Sequence, residues 1–322
     1  MRTDFLLLGA TGATGRLIAR RLARSGAALT LAGRDTTRLD AAAADLGTTG
    51  SVRVRALDLD DPDALPALAA SARVLVNTVG PFTRLAPPVI AACLATGTAY
   101  LDLANERAAV RDLLDRDGEA RQHGTTLVTG AGFGPAATEA PLLALLGQTG
   151  GGPGPRPAAV TLASAARSAY DTTGVRTTVA EAGTEGAARY RNGRLIHQPL
   201  GSGATTLAFG GATRPVVPVP VGDLEAAHRL TGAPEITAFA VPRGAAAPDG
   251  RSHGHAELRD RNGLVHRAGL STGEAFAFTA ALAAATAIRL LDGLPDGAWT
   301  AARLLGAETV AALPGTSIEI AR

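Results

Sequence analysis

Phe5-Leu6-Leu7-Leu8-Gly9-Ala10-Thr11-Gly12-Ala13-Thr14-Gly15-Arg16-Leu17 is an apolar run that ends in three evenly spaced glycines and passes at once into an amphipathic segment. The run predicts a buried strand and the segment predicts a helix, so the glycines fall on the turn between them. In such a turn Gly9 supplies the tight bend, Gly12 lets the backbone approach a pyrophosphate, and Gly15 lets the helix pack on the strand. Backbone around Thr11, Gly12, Ala13 and Thr14 would then hold phosphate at the positive end of the helix. The spacing is G-x-x-G-x-x-G rather than G-x-G-x-x-G, and the units that follow give it its meaning.

Those units alternate. Strands are predicted at 28–32, 52–57, 74–78, 99–102 and 126–129, with helices at 14–25, 37–46, 62–70, 86–96 and 106–123 between them. Regular βα alternation with short connections predicts an α/β fold, a Rossmann-type doubly wound parallel sheet over residues 1–130. After Gly130 the texture changes. A helix is expected at 138–146, a Gly/Pro-rich loop at 147–157, a strand at 159–165 and a helix at 175–182. Asn192-Gly193 and Asn262-Gly263 stand between alternating segments and predict two hairpins. A proline-punctuated extended run at 216–221, a helix begun by Asp223 and a strand at 236–241 complete an α+β domain over 131–270 that serves substrate binding and dimerisation. Residues 271–322 are expected to be helices, at 273–291 and 299–312, packing back on the first domain.

Composition narrows the function classes. The chain has 322 residues and a formal net charge of +2, which gives no electrostatic case for nucleic acid or an anionic membrane. All 31 basic residues are arginine, so lysine Schiff-base chemistry and a Tyr-x-x-x-Lys pair are excluded. Cys93 is the single cysteine; it lies in an apolar run and reads as a core residue, with no intramolecular disulfide to make. With no basic-then-apolar leader and no bilayer-length apolar stretch, a cytoplasmic protein without a membrane partner is expected.

The strand ends carry the candidate ligand groups, because ligands of open α/β sheets bind beyond the carboxyl ends of strands. Strand two ends in Gly33-Arg34-Asp35. Glycine stands where an acidic residue would take a ribose 2′-OH, and Arg34 is placed to clamp a 2′-phosphate, so NADP(H) is preferred over NAD(H). Asp58 after strand three either faces adenine or caps a helix with Asp60 and Asp61. Thr78, Gly80 and Pro81 after strand four form a loop passing close to the cofactor.

Taken together, Gly9–Gly15, Gly33-Arg34, Gly80-Pro81-Phe82, Tyr100-Leu101-Asp102-Leu103 with Glu106, Gly132-Phe133-Gly134, Gly222-Asp223 through Pro234, and Trp299 through Gly306 resemble the saccharopine dehydrogenase-like family of NAD(P)-binding reductases. The resemblance implies a Rossmann domain, an inserted α+β domain and NAD(P)H-dependent chemistry. The family includes relatives described as trans-acting enoyl reductases, so it does not fix the bond reduced. This chain has Leu85-Ala86 where relatives usually carry Tyr-Gly, and Asn105 where they carry glycine.

Hydride transfer asks the protein for orientation, exclusion of water and a proton source. Asp102 and Glu106 would hold a cationic iminium or shuttle a proton, or else cap the following helix. Tyr170, beside Asp171, would donate a proton to the substrate, or else simply pack. Arg84 would hold a substrate carboxylate or phosphate, or the cofactor's own phosphates. Tyr100, Asn105 and Phe133 would line the substrate. His228 reads as structural. His253 and His255 share a strand face, but without a third ligand no metal site is expected. The expectation is therefore an NADPH-dependent oxidoreductase reducing a small C=N substrate. Reduction of an activated C=C bond and a non-catalytic NADP(H) sensor are the alternatives, and a homodimer built by sheet extension is the expected assembly.

Overall fold

The computed structural model describes residues 2–47, 50–57, 64–148, 157–168, 176, 186–242 and 249–321. It divides into two units. The first comprises Met1–Ala104, Asp112–Gly132 and Thr279–Ala301; the second comprises Asn105–Arg111, Phe133–Phe278 and Ala302–Arg322.

The first unit opens with β1 (Thr3–Leu8), α1 (Ala13–Arg24), β2 (Leu29–Gly33), α2 (Thr36–Ala44), β3 (Val52–Ala56) and α3 (Ala64–Ala70). It continues with β4 (Ala72–Asn77), α4 (Phe82–Thr96), β5 (Ala99–Asp102), α5 (Arg107–Leu114, which crosses into the second unit), α6 (Asp117–Gln122) and β6 (Thr126–Thr129). A late strand, β15 (Gly297–Thr300), joins them in a seven-stranded sheet ordered β15-β6-β5-β4-β1-β2-β3. Every pair is parallel. Phe5, Leu6, Leu7, Leu29, Leu31, Val76 and Leu101 are fully buried, as expected of parallel strands covered on both faces. The strand order reverses between β1 and β4, which places the switch point at Gly9 and Thr78.

The second unit contains α7 (Phe133–Gln148), β7 (Ala159–Ala165), β8 (Ala187–Arg191), β9 (Arg194–Gln198), β10 (Thr205–Phe209), β11 (Ala212–Pro218), α8 (Asp223–Thr231) and β12 (Glu235–Ala240). Then come β13 (Ser252–Arg259), β14 (Val265–Thr272), α9 (Ala275–Leu291, shared with the first unit), α10 (Ala301–Leu305), α11 (Ala307–Ala311) and β16 (Ser317–Ala321). Nine strands form a mixed sheet along β10-β11-β12-β7-β13-β14-β16, with β8 on β12 and β9 on β8. Leu142 and Leu145 of α7 and Leu224 and Ala227 of α8 pack on Val160, Leu162, Ile236, Ala256, Leu258 and Ala268. A Cβ at Gly254 would run into the Ala137 carbonyl, so α7 lies directly on β13.

Several elements differ from expectation. Asn192-Gly193 is a two-residue turn, with φ of 52° and 74° and Arg191 opposite Arg194, as predicted. Asn262-Gly263 instead sits in a loop closed by Arg259 opposite Val265. There the Asp260 carboxylate accepts the N–H groups of Asn262 and Leu264, an Asx arrangement that makes a longer turn. The β10–β11 hairpin was not anticipated; Gly210-Gly211, both at positive φ, carry its signal. The helix expected at 106–123 is two helices. The helix expected at 299–312 is a strand end followed by α10 and α11. α4 begins at Phe82 and α7 at Phe133, so Arg84 and Phe133 lie in first helical turns rather than in loops. Of the helix expected at 175–182, only Arg176 is among the described residues.

Replacing Gly254 by alanine is predicted to destabilise the protein by about 2 kcal/mol, the usual range for overpacking a rigid contact. Urea unfolding of Gly254→Ala beside the parent checks this.

Candidate functional site

Gly9 takes φ +78° and donates its N–H to the Ala32 carbonyl at 3.0 Å. Its own carbonyl accepts from the Gly12 N–H at 3.0 Å, and a Cβ on Gly15 would collide with that same carbonyl. Gly12 caps α1, its carbonyl taking the Arg16 N–H at 2.9 Å, and it is exposed. The N–H groups of Ala13, Thr14 and Gly15 stand in the first turn, where no intrahelical acceptor exists. These residues therefore form a cradle that side chains would fill, with helix N–H donors at its base, and a pyrophosphate fits it. Thr11 points its carbonyl to Arg16 Nε at 3.3 Å. Thr78 donates its hydroxyl to the Leu8 carbonyl at 2.7 Å, which closes the switch point between β1 and β4.

At the end of β2 Arg34 is exposed and makes no hydrogen bond or ion pair with another described residue. Asp35 caps α2 by accepting the Arg38 N–H at 3.0 Å. Gly80 is exposed, and the Gly80–Pro81 peptide is cis. Arg84 is exposed on the first turn of α4. Asp58 and Tyr170 lie outside the described residues.

Under the ends of β4, β5 and β6 runs a hydrogen-bonded chain that was not anticipated. Asn77 Nδ2 donates to Tyr100 Oη at 3.1 Å, and Tyr100 Oη donates to Asp102 Oδ2 at 3.0 Å. Asp102 Oδ1 accepts from Thr129 Oγ1 at 2.7 Å, Ala104 N at 3.1 Å and Gly130 N at 3.4 Å. Asn77 Oδ1 in turn accepts the Val79 N–H at 3.0 Å, fixing the loop after β4. All four side chains are buried, Asp102 to 1% exposure. Tyr100, expected to line the substrate, is fully buried in the middle of this chain, and Asp102, expected at the cleft edge, is buried beside it. Burial pushes the Asp102 carboxyl from 3.8 up to about 6, against the lowering effect of its donors. The sequence signal was a polar residue closing each of three apolar strands: Asn77 after Val76, Asp102 after Leu101, Thr129 after Val128.

Within the second unit, Glu106 precedes α5. Its carbonyl accepts the Val110 N–H, and its carboxylate accepts the Asn105 N–H at 3.0 Å. Asn105 Oδ1 has no hydrogen-bond partner among the described residues. Phe133 is buried and meets Phe278 edge-on at 5.8 Å. Arg107 and Glu225 form a buried ion pair at 2.9 Å. Tyr190 donates to the other Glu225 oxygen at 3.0 Å and stacks on His228 at 4.0 Å. Asp223 accepts from Thr138 at 2.6 Å, and burial raises its carboxyl pKa. His253 pairs with Asp249 at 2.8 Å and His255 packs against Phe209. Among the described residues no group of three metal-ligating side chains exists.

The glycine cradle at the switch point of a parallel sheet matches a known family model, that of the saccharopine dehydrogenase NADP binding domain, over residues 5–128. Over 146 residues, 44% of this chain and 35% of the other, the chain is 40% identical to a Mycobacterium tuberculosis protein provisionally named a trans-acting enoyl reductase. It is 39% identical over 134 residues to the trans-acting enoyl reductase of Mycobacterium leprae, covering 40% of this chain and 32% of that protein. The matched stretch thus spans about a third of the length of these curated relatives. Apo saccharopine dehydrogenase (L-Glu forming) from Saccharomyces cerevisiae has the same fold, with TM-score 0.69, 13% identity, and coverage of 99% of this chain and 100% of that one.

Two outcomes are predicted. Arg107→Met leaves Glu225 buried without its cation and should cost about 3 kcal/mol, with part of the loss restored when Glu225 is also made apolar; urea unfolding of the single and double variants checks this. Asp102 holds a proton in the folded chain between pH 3.8 and about 6 that the unfolded chain has released. Its contribution to stability should therefore fall, by up to about 3 kcal/mol, as pH rises through that window. Unfolding free energies measured across it should lose that slope in Asp102→Asn.

Proposed function

We propose that this chain is an NADPH-dependent oxidoreductase that reduces a small unsaturated substrate, an activated C=C bond ahead of a C=N bond. The cradle of Gly9, Gly12 and Gly15 with its first-turn N–H donors, inside a saccharopine dehydrogenase-type NADP-binding domain, carries the reading. The mycobacterial relatives' names weigh toward C=C reduction. The C=N reading, which the sequence resemblance put first, keeps second place on the name of the matched domain family.

NADPH, when bound, supplies the hydride. The chain supplies the rest. The Gly9–Gly15 turn would hold the pyrophosphate, and exposed Arg34 would take the 2′-phosphate. Asp35 uses one carboxylate oxygen to cap α2, which weighs toward NADPH over NADH. With no lysine in the chain, Glu106 and Tyr170 are the proton carriers, Arg84 holds a substrate anion, and the unpartnered Asn105 Oδ1 accepts a substrate donor. Catalysis by this chain in a cytoplasmic homodimer, extended through the edge of the nine-stranded sheet, belongs to the same proposal.

NADPH and NADH titrated into the protein, followed by nucleotide fluorescence, test the cofactor. Arg34→Ala should weaken NADPH roughly 10- to 100-fold, the worth of a charge-assisted bond, and leave NADH unchanged. Binding of neither nucleotide at millimolar concentration would contradict the reading. NADPH consumption with enoyl thioesters and cyclic imines then separates the two substrate classes, and turnover of either excludes the sensor alternative.

A further inference from the structure

Asp102, like Asp223, is a buried carboxylate whose hydrogen-bond donors are all neutral. Glu225 is neutralised by Arg107, whereas every donor to Asp102 is neutral: the Thr129 and Tyr100 hydroxyls and the N–H groups of Ala104 and Gly130. Four donors and no cation suit an ionised carboxylate, since a protonated one would turn an acceptor into a competing donor. The charge sits at the C-terminal edge of the sheet, opposite Asn77 in the parallel register. β5 lies two strands from β1, on the side away from β2, roughly 10 Å at the usual strand spacing.

That placement has a consequence for a bound dinucleotide, and it rests on the NADP(H) reading given above. With the pyrophosphate on the β1 turn and the adenosine 2′-phosphate at Arg34 after β2, the nicotinamide half would run over the ends of β4 and β5. The nicotinamide ring is neutral in NADPH and positively charged in NADP⁺. We propose that the Asp102 carboxylate is a fixed counter-charge for the oxidised nicotinamide, which makes the site bind NADP⁺ more tightly relative to NADPH than an uncharged site would. Asp102 touches neither ring nor substrate; it acts through space, held by Tyr100 and Thr129. Hydride donation creates positive charge on the ring, so the same carboxylate favours that step.

The other titratable groups facing this chain are Tyr100 itself, on β5, and Cys93, on α4. Burial raises both well above neutral pH, so neither changes charge where Asp102 does. β4 and β6 contribute only neutral Asn77 and Thr129.

The test is the ratio of the NADP⁺ and NADPH dissociation constants, measured by calorimetry between pH 5.5 and 8. The ribose 2′-phosphate titrates near pH 6 in both nucleotides, and its effect cancels in the ratio. As Asp102 ionises with rising pH, NADP⁺ should gain on NADPH by about tenfold, the effect of a unit charge roughly 10 Å from the ring at an effective dielectric constant of about 20. In Asp102→Asn the ratio should be flat and remain at its low-pH value. Tyr100→Phe keeps the charge but removes one donor, so its midpoint should move to higher pH; it also decides the matter if Asp102→Asn does not fold. A ratio that is flat with pH in both the parent and Tyr100→Phe overturns the proposal. Failure of the parent to bind either nucleotide overturns the NADP(H) reading and this inference with it.

Discussion

The close seating of Gly15 on the Gly9 carbonyl is the contact on which the first unit depends. It requires glycine at both places, because Gly9 adopts positive φ and a Cβ on Gly15 would occupy the space of that carbonyl. The contact draws α1 against the end of β1 and aims its first N–H groups beyond the sheet edge. Thr78, bonded to the Leu8 carbonyl, holds β4 at the same place. A phosphate cradle and a topological switch point thus arise from one local constraint, and the parallel sheet provides the rigid frame behind it.

Two kinds of buried charge lie behind this frame and in the second unit. Arg107 and Glu225 neutralise each other, and Tyr190 satisfies the remaining carboxylate oxygen. Such a pair fixes the position of α5 relative to α8 more than it adds stability, because desolvation offsets much of its attraction. Asp102 is held by dipoles alone, and its negative charge remains available to whatever binds above the strand ends.

The parallel sheet was legible because each apolar run is short and is followed by a helical period at once. The phosphate cradle was legible because glycine spacing reports backbone conformation directly. Packing of side chains was not. Tyr100 and Asp102 stand at strand ends, where ligand groups also stand, and only the fold shows that Asn77 and Thr129 turn them inward. β15 and β16 escaped because each is a short strand completed by partners far away in sequence, at β6 and β14; local propensity carries no trace of such pairing. Gly210-Gly211 carries a hairpin signal, which the prolines that follow it obscure.

The proposed function rests on hydride delivery from bound NADPH, and isotope transfer tests it directly. NADPH deuterated in turn on each face of nicotinamide C4 should be incubated with the protein and an enoyl thioester, and the product weighed. The account predicts a saturated product carrying one deuterium from one face and none from the other. A protein that binds NADPH tightly yet transfers no deuterium to an enoyl thioester or to an imine would contradict it.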